Sequence, residues 1–135
     1  MDPTGNLVKN RSVVIVDDDD VTRHLLRSVL RAAGLNVVGD ANDGARALVA
    51  YQKLKPDIVC LDIEMPGMTG LEVLAKIRED DADTIVLMIT GAATGENVRG
   101  AIAARANGII VKPFNTAKIL TEMERAIARK LAVEK

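Results

Sequence analysis

Four short apolar runs in this chain each lead into a residue that can do chemistry. Asp17-Asp18-Asp19-Asp20 follow Val13-Val14-Ile15-Val16, and Asp62 follows Ile58-Val59-Cys60-Leu61. Thr90 follows Ile85-Val86-Leu87-Met88-Ile89, and Lys112 follows Gly108-Ile109-Ile110-Val111. If Asp17, Asp18 and Asp62 converge, their mutual repulsion needs a cation or protons to offset it. A hard divalent ion suits an all-oxygen donor set, and Mg2+ in particular binds through one or two carboxylates plus a phosphate. Lys112 would bring an ammonium to the same rim as a point charge, so that the formal charges cancel. A carboxylate is also a nucleophile toward phosphorus. Phosphorylation would turn its single negative charge into about two, and the cation, the lysine and the Thr90 hydroxyl are the groups that would stabilise the added oxygens.

Each residue alone has a plainer reading. An acid after a strand often caps the next helix, and Asp19 or Asp20 is expected to do so. A lone lysine is usually solvated and a lone threonine is usually a turn residue or cap. The weight lies in their joint placement at strand ends.

Positioning them falls to the rest of the chain. Runs 13–16, 36–39, 58–61, 85–89 and 108–111 have strand length and are bounded by Asp, Gly, Pro or Thr. Helical spacing fills the gaps. Leu25, Leu26, Val29 and Leu30 repeat at helix period, as do Ala47, Leu48, Tyr51 and Leu54 after a candidate N-cap at Asp43. Thr69-Gly70-Leu71-Glu72 spells a capping box ahead of Leu74 and Ile77. Thr94 opens a helix with Val98, Ala101 and Ile102, and Asn115 or Thr116 opens one with Leu120, Met123, Ile127 and Leu131. The sum is (βα)5, which predicts parallel strands, right-handed crossovers and an open, doubly wound α/β sheet. In such sheets ligands bind beyond the carboxyl ends of the strands. Asp17, Asp18, Asp40, Asp62, Thr90 and Lys112 are the residues expected there.

Composition narrows the function classes. The 135 residues carry 18 basic and 19 acidic side chains, so no global field points to nucleic acid or to a membrane surface. One cysteine and one histidine exclude a disulfide framework and make a zinc enzyme hard to build. No apolar run is long enough to span a bilayer, and Met1-Asp2-Pro3-Thr4-Gly5-Asn6 lacks the basic start of a signal peptide, so a cytoplasmic protein is expected. Neither the P-loop nor the dinucleotide glycine pattern occurs. Residues 1–10 are expected to form a flexible tail, 11–131 one domain, and 132–135 a fraying end.

Val13-Val14-Ile15-Val16-Asp17-Asp18, Leu61-Asp62-Ile63-Glu64-Met65-Pro66-Gly67-Met68-Thr69-Gly70, Ile89-Thr90-Gly91 and Val111-Lys112-Pro113-Phe114 resemble, in order and spacing, the receiver domain of two-component response regulators in its single-domain form. The resemblance covers roughly residues 11–131. It implies a flavodoxin-like three-layer sandwich around a five-stranded parallel sheet of order 2-1-3-4-5. It further implies Asp62 as phosphoacceptor, and Mg2+ held directly by Asp18, largely through water by Asp17, by Asp62 and by the Glu64 backbone carbonyl. Lys112 would pair with the phosphoryl group, Thr90 would swing in to hydrogen-bond it, and the Lys112–Pro113 bond would be cis. The implied partners are a sensor histidine kinase or histidine phosphotransfer protein and an unidentified downstream protein, with no direct nucleic-acid contact. The implied role is signalling by protein contact, or draining phosphoryl groups. It is not that of a turnover enzyme, apart from Mg-dependent self-phosphorylation and self-dephosphorylation.

Three positions depart from that pattern. Ile109 stands where the family usually has Tyr or Phe, so a switch of lower amplitude, or one carried mainly by the Thr90–Thr94 loop, is expected. Gly91 replaces a common alanine and should make that loop more mobile. Glu64 adds an acid two residues past the acceptor, where it is expected to alter the dephosphorylation rate. Among rivals, Asp17-Asp18-Asp19-Asp20-Val21 also spells the opening motif of haloacid-dehalogenase-type phosphatases. That reading needs an acidic pair beyond the lysine; no Asp follows residue 112, and Asp62-Ile63-Glu64-Met65-Pro66 is left without a role. A pseudo-receiver that only docks a partner is the non-catalytic alternative. Cys60 and Tyr51 are expected in the core, and His24 on the polar side of the first helix.

Overall fold

Strands covered on both faces show as unbroken apolar runs, since neither face meets water. In the computed structural model, which describes residues 7–134, these runs form β1 (Ser12–Val16), β2 (Asn36–Ala41), β3 (Ile58–Asp62), β4 (Ile85–Thr90) and β5 (Gly108–Val111). Between them lie α1 (Asp20–Ala32), α2 (Gly44–Leu54), α3 (Gly70–Asp80), α4 (Gly95–Ala103) and, after β5, α5 (Thr116–Glu134). All neighbouring strands are parallel, and their order is β2-β1-β3-β4-β5.

The period-two alternation of side chains sorts the core into two layers. Val13, Ile15, Ile58, Cys60, Leu87, Ile89 and Ile110 pack under Leu26 and Leu30 of α1 and Ile119, Met123 and Ile127 of α5. Val14, Val16, Val59, Leu61, Val86 and Met88 face α2, α3 and α4 through Ala47, Tyr51, Val73, Leu74, Ile77 and Ala101. Each fully buried Leu or Ile stabilises the fold by about 1.5–3 kcal/mol relative to an exposed one. β3 and β4, buried at every position, therefore form a rigid spine that ends on Asp62 and Thr90.

Caps fix where the helices begin, and with them the loops at the rim. Asp19 caps α1 by accepting from the Thr22 N–H, which settles the choice between Asp19 and Asp20. Asp43 and Thr94 cap α2 and α4 in the same way, and Thr69 with Glu72 forms the full capping box of α3. Asn115, rather than Thr116, accepts from the Lys118 N–H at the start of α5.

Four expectations need correction. β2 runs on to Ala41, so Asp40 lies inside an edge strand and pairs with Arg23 and Arg27 instead of joining the acidic rim. Leu25 and Ile102, counted on apolar helix faces, are 47% and 69% exposed. Residues 7–10 are docked, not loose: Val8 is 3% exposed in the core and Asn10 N–H donates to Gly34 O at 2.8 Å. The remainder of the expected tail, 1–6, lies outside the described residues. At the other end, where fraying was expected from 132, α5 continues to Glu134.

Candidate functional site

Asp17, just past β1, is held by its neighbours on every side. Its N–H donates to Ala41 O at 3.1 Å, its carbonyl accepts from Arg23 Nη1 at 2.7 Å, and its Oδ1 accepts from the Asp19 N–H at 2.9 Å. Its Oδ2 is fully buried with no hydrogen-bond partner among the described residues, and faces Lys112 Nζ at 3.1 Å. Asp62, at the end of β3, is 1% exposed. Its Oδ2 lies 3.6 Å from the same ammonium, and its Oδ1 accepts from the Glu64 N–H at 3.3 Å. Asp18 is exposed at the mouth. One carboxylate oxygen from each of Asp17, Asp18 and Asp62 lies within 4.8 Å of the others.

Like charges confined this closely shift their protonation. Burial, and then the neighbouring Asp17 carboxylate, push the Asp62 carboxyl up to about 7 against the opposing pull of Lys112. For Lys112, burial favours the neutral amine, but pairing with Asp17 and the charge of Asp62 outweigh it and raise its affinity for the proton. The donor set is hard and all-oxygen, one buried oxygen lacks a hydrogen bond, and the carboxylates carry more negative charge than Lys112 offsets. A divalent cation of the Mg2+ type fits these residues.

The floor of the site depends on Gly70 at the start of α3. Its N–H donates to Ile63 O at 2.9 Å, and a Cβ there would lie 2.1 Å from Asp62 O. α3 thus seats its first turn directly on the main chain of Asp62, and a side chain at position 70 would force that turn or Asp62 to move. The Lys112–Pro113 peptide bond is cis.

Thr90, fully buried at the end of β4, gives its hydroxyl proton to Glu64 Oε2 at 2.6 Å. Glu64 Oε1 accepts from the Gly91 N–H at 2.7 Å. The loop beyond is held by Ala92 N–H donating to Thr90 Oγ1 at 3.0 Å and by Asn97 Nδ2 donating to Ala92 O at 2.8 Å. A cleft of about 590 Å³ opens beside this pair, with Met65, Pro66, Leu71 and Glu96 in its wall. The sequence singled out Glu64 for its carbonyl and for the charge of its side chain. It missed the pairing of that side chain with Thr90 and Gly91, because contact across 26 residues leaves no local spacing signal.

Elsewhere the residues with plainer readings fall as expected. Cys60 is buried among apolar groups, and its thiol is pushed up to about 12 by that burial. His24 is exposed, and Tyr51 is buried with its OH donating to Asp81 at 2.9 Å. Ile109 is half-buried against the α2–α4 layer. No helix among the described residues is long and apolar enough to cross a membrane.

Fold and rim together define a doubly wound α/β domain with an acidic, lysine-paired pocket at the carboxyl ends of its central strands. The chain belongs to the response regulator receiver domain family, whose model matches residues 13–124. Chemotaxis protein CheY-3 of Vibrio cholerae is 38% identical over 125 residues, covering 91% of this chain and 96% of the relative. Chemotaxis protein CheY of Listeria monocytogenes is 38% identical over 114 residues, covering 84% and 96%. Among solved structures, V. cholerae CheY4 is similar at TM-score 0.82 and 34% identity, covering 87% of this chain and 98% of that one. A chain of the CheX–CheY–BeF3–Mg2+ complex of Borrelia burgdorferi is similar at TM-score 0.82 and 34% identity, covering 85% and 87%. The chain is thus a CheY-like receiver domain of two-component signalling.

Proposed function

We propose that this receiver accepts a phosphoryl group on Asp62 from a histidine kinase or histidine phosphotransfer protein. It would then act through contact with a protein target, or as a drain for phosphoryl groups, in the cytoplasm. The observation that carries this reading is the meeting of Asp17, Asp18 and Asp62 within 4.8 Å, with Lys112 paired to both buried acids. A Borrelia relative complexed with BeF3 and Mg2+ supports it.

In the transfer, a carboxylate oxygen of Asp62 forms a bond to phosphorus as the bond from phosphorus to the donor atom breaks, and the bonding pair leaves on the donor. Asp17, Asp18, Asp62 and the Glu64 carbonyl would hold Mg2+, which when bound supplies positive charge beside the transferred oxygens. Lys112 shifts from compensating two carboxylates to compensating the new dianion. Such transfer depends mostly on positioning and electrostatics, and the rigid β1 and β3 ends provide the first. Thr90 and the Gly91 N–H are the nearby donors for a phosphoryl oxygen, and their rearrangement would carry the signal into the loop before α4. The chemistry is self-directed, without turnover of an external substrate.

The test is an intact mass after incubation with Mg2+ and a small acyl phosphate. One phosphoryl group added, mapped to Asp62 and absent from Asp62→Asn, is expected. Phosphate release that persists in Asp62→Asn but stops in Asp17→Asn would instead support the phosphatase reading.

A further inference from the structure

The side chain of Glu64 does something its place at the acidic rim does not require. Its two carboxylate oxygens take the donors of two consecutive residues: Thr90 Oγ1 at 2.6 Å and the Gly91 N–H at 2.7 Å. Its own N–H meanwhile donates to Asp62 Oδ1 at 3.3 Å. One residue therefore touches the acceptor with its main chain and the hydroxyl residue with its side chain.

A threonine hydroxyl has one proton to give, and a phosphoryl group offers only acceptor oxygens. A phosphoryl oxygen on Asp62 therefore needs the same donors that the Glu64 carboxylate now holds. Resting on the phosphoacceptor reading of Asp62, we propose that Glu64 is a built-in competitor of the phosphoryl group. It occupies Thr90 and Gly91 in the unphosphorylated chain and must release them before the phosphoryl group can be clamped. The switch is then an exchange of acceptors at one pair of donors. It needs no inward-moving aromatic ring, which this chain lacks at Ile109. Glu64 is exposed and borders the adjoining cleft, so its released carboxylate has water and open space to enter. Glu64 is a positioning residue: it acts on phosphoryl binding through Thr90 and Gly91.

The experiment has two arms. In the metal-free, unphosphorylated protein, amide exchange at Gly91 is compared between the parent, Glu64→Ala and Glu64→Gln. Glu64→Ala should speed Gly91 exchange about tenfold while the interior of β4 is unchanged, with Glu64→Gln in between because its amide has one acceptor oxygen. In the second arm, beryllofluoride is titrated in the presence of Mg2+ as a mimic of the phosphoryl group. Glu64→Ala should bind about five- to fiftyfold more tightly, and at least half of that gain in logarithmic terms should vanish in a Thr90→Val background. If Glu64 merely repelled the anion, Glu64→Gln would gain as much as Glu64→Ala and the gain would survive Thr90→Val intact; that result overturns the proposal. Unchanged Gly91 exchange with normal beryllofluoride binding overturns it alone. Failure of every variant and the parent to bind beryllofluoride overturns the phosphoacceptor reading, and the competition with it.

Discussion

Lys112 Nζ stands 3.1 Å from Asp17 Oδ2, a buried oxygen with no hydrogen-bond partner among the described residues. The lysine therefore compensates buried negative charge in the resting protein. Lys112→Met removes the ammonium that both buried carboxylates face. Because Lys112 is itself 27% exposed, the loss should be smaller than for a fully buried pair, about 1–3 kcal/mol near neutral pH. Urea denaturation of the metal-free variant measures it. Mg2+ should recover much of the loss by binding only the folded chain.

The raised affinity of Asp62 for its proton makes stability depend on pH in a definite direction. The folded state holds this proton up to about 7, whereas an unfolded Asp releases it near its ordinary value of 3.8. The contribution is fully present below the lower value and is lost as pH rises toward the higher one. In chelator, the parent should be less stable at about pH 8 than at about pH 5.5, by about 1–3 kcal/mol from this group. Asp62→Asn should flatten that slope and stand above the parent at the higher pH. Equal denaturation midpoints for parent and variant at both pH values would count against the burial of a charge at this position.

Two glycines at the rim should respond very differently to the same change. In Gly70→Ala the new methyl would meet Asp62 O at 2.1 Å, so the first turn of α3 must lift or Asp62 must move. A destabilisation of about 1–3 kcal/mol is expected, with weaker binding of divalent ions. At Gly91 the nearest atom to a new Cβ is Glu64 Oε1 at 3.7 Å, an ordinary contact, and the φ angle is not left-handed. Gly91→Ala should change stability by less than about 0.5 kcal/mol. Thermal denaturation and an ion titration of the two variants separate the cases.

These contrasts also show which features a sequence exposes. β1, β3 and β4 are buried on both faces, so their apolar runs stop sharply at the rim and mark Asp17, Asp62 and Thr90. β2 lies at the sheet edge and is only partly covered, so its apolar signal fades before Ala41 and misplaced Asp40. Helical period alone put Ile102 and Leu25 on buried faces, because period reports a face without saying what covers it. Glu64 could be recognised as an acid two residues past Asp62. Its grip on Thr90 depends on where a side chain turns once β3 and β4 lie side by side.

Arg78 was invisible for a different reason: nearly all its partners are main-chain carbonyls, which every residue carries. It is 8% exposed near the end of α3. Its guanidinium donates to Arg105 O at 2.9 and 3.1 Å, to Thr84 O at 2.7 Å, to Asp81 O at 3.2 Å and to Asn107 Oδ1 at 2.8 Å. Asn107 Oδ1 also accepts from the Val86 N–H at 2.7 Å, so the cluster ties the turn after α4 to the start of β4. Burial, and then the charge of Arg105, lower the affinity of the guanidinium for its proton, yet the carbonyl cage keeps its donors satisfied. Arg78→Met leaves several buried carbonyls without a donor and should cost about 2–4 kcal/mol. Lysine should not rescue it, since a single ammonium cannot reproduce the planar fork that reaches both Arg105 and Thr84. Amide exchange should quicken around residues 105–107 in the variant while the β1 and β3 ends stay protected. Loss of protection at Asp17 and Asp62 as well would mean that Arg78 supports the whole sheet, not just the anchor of α4.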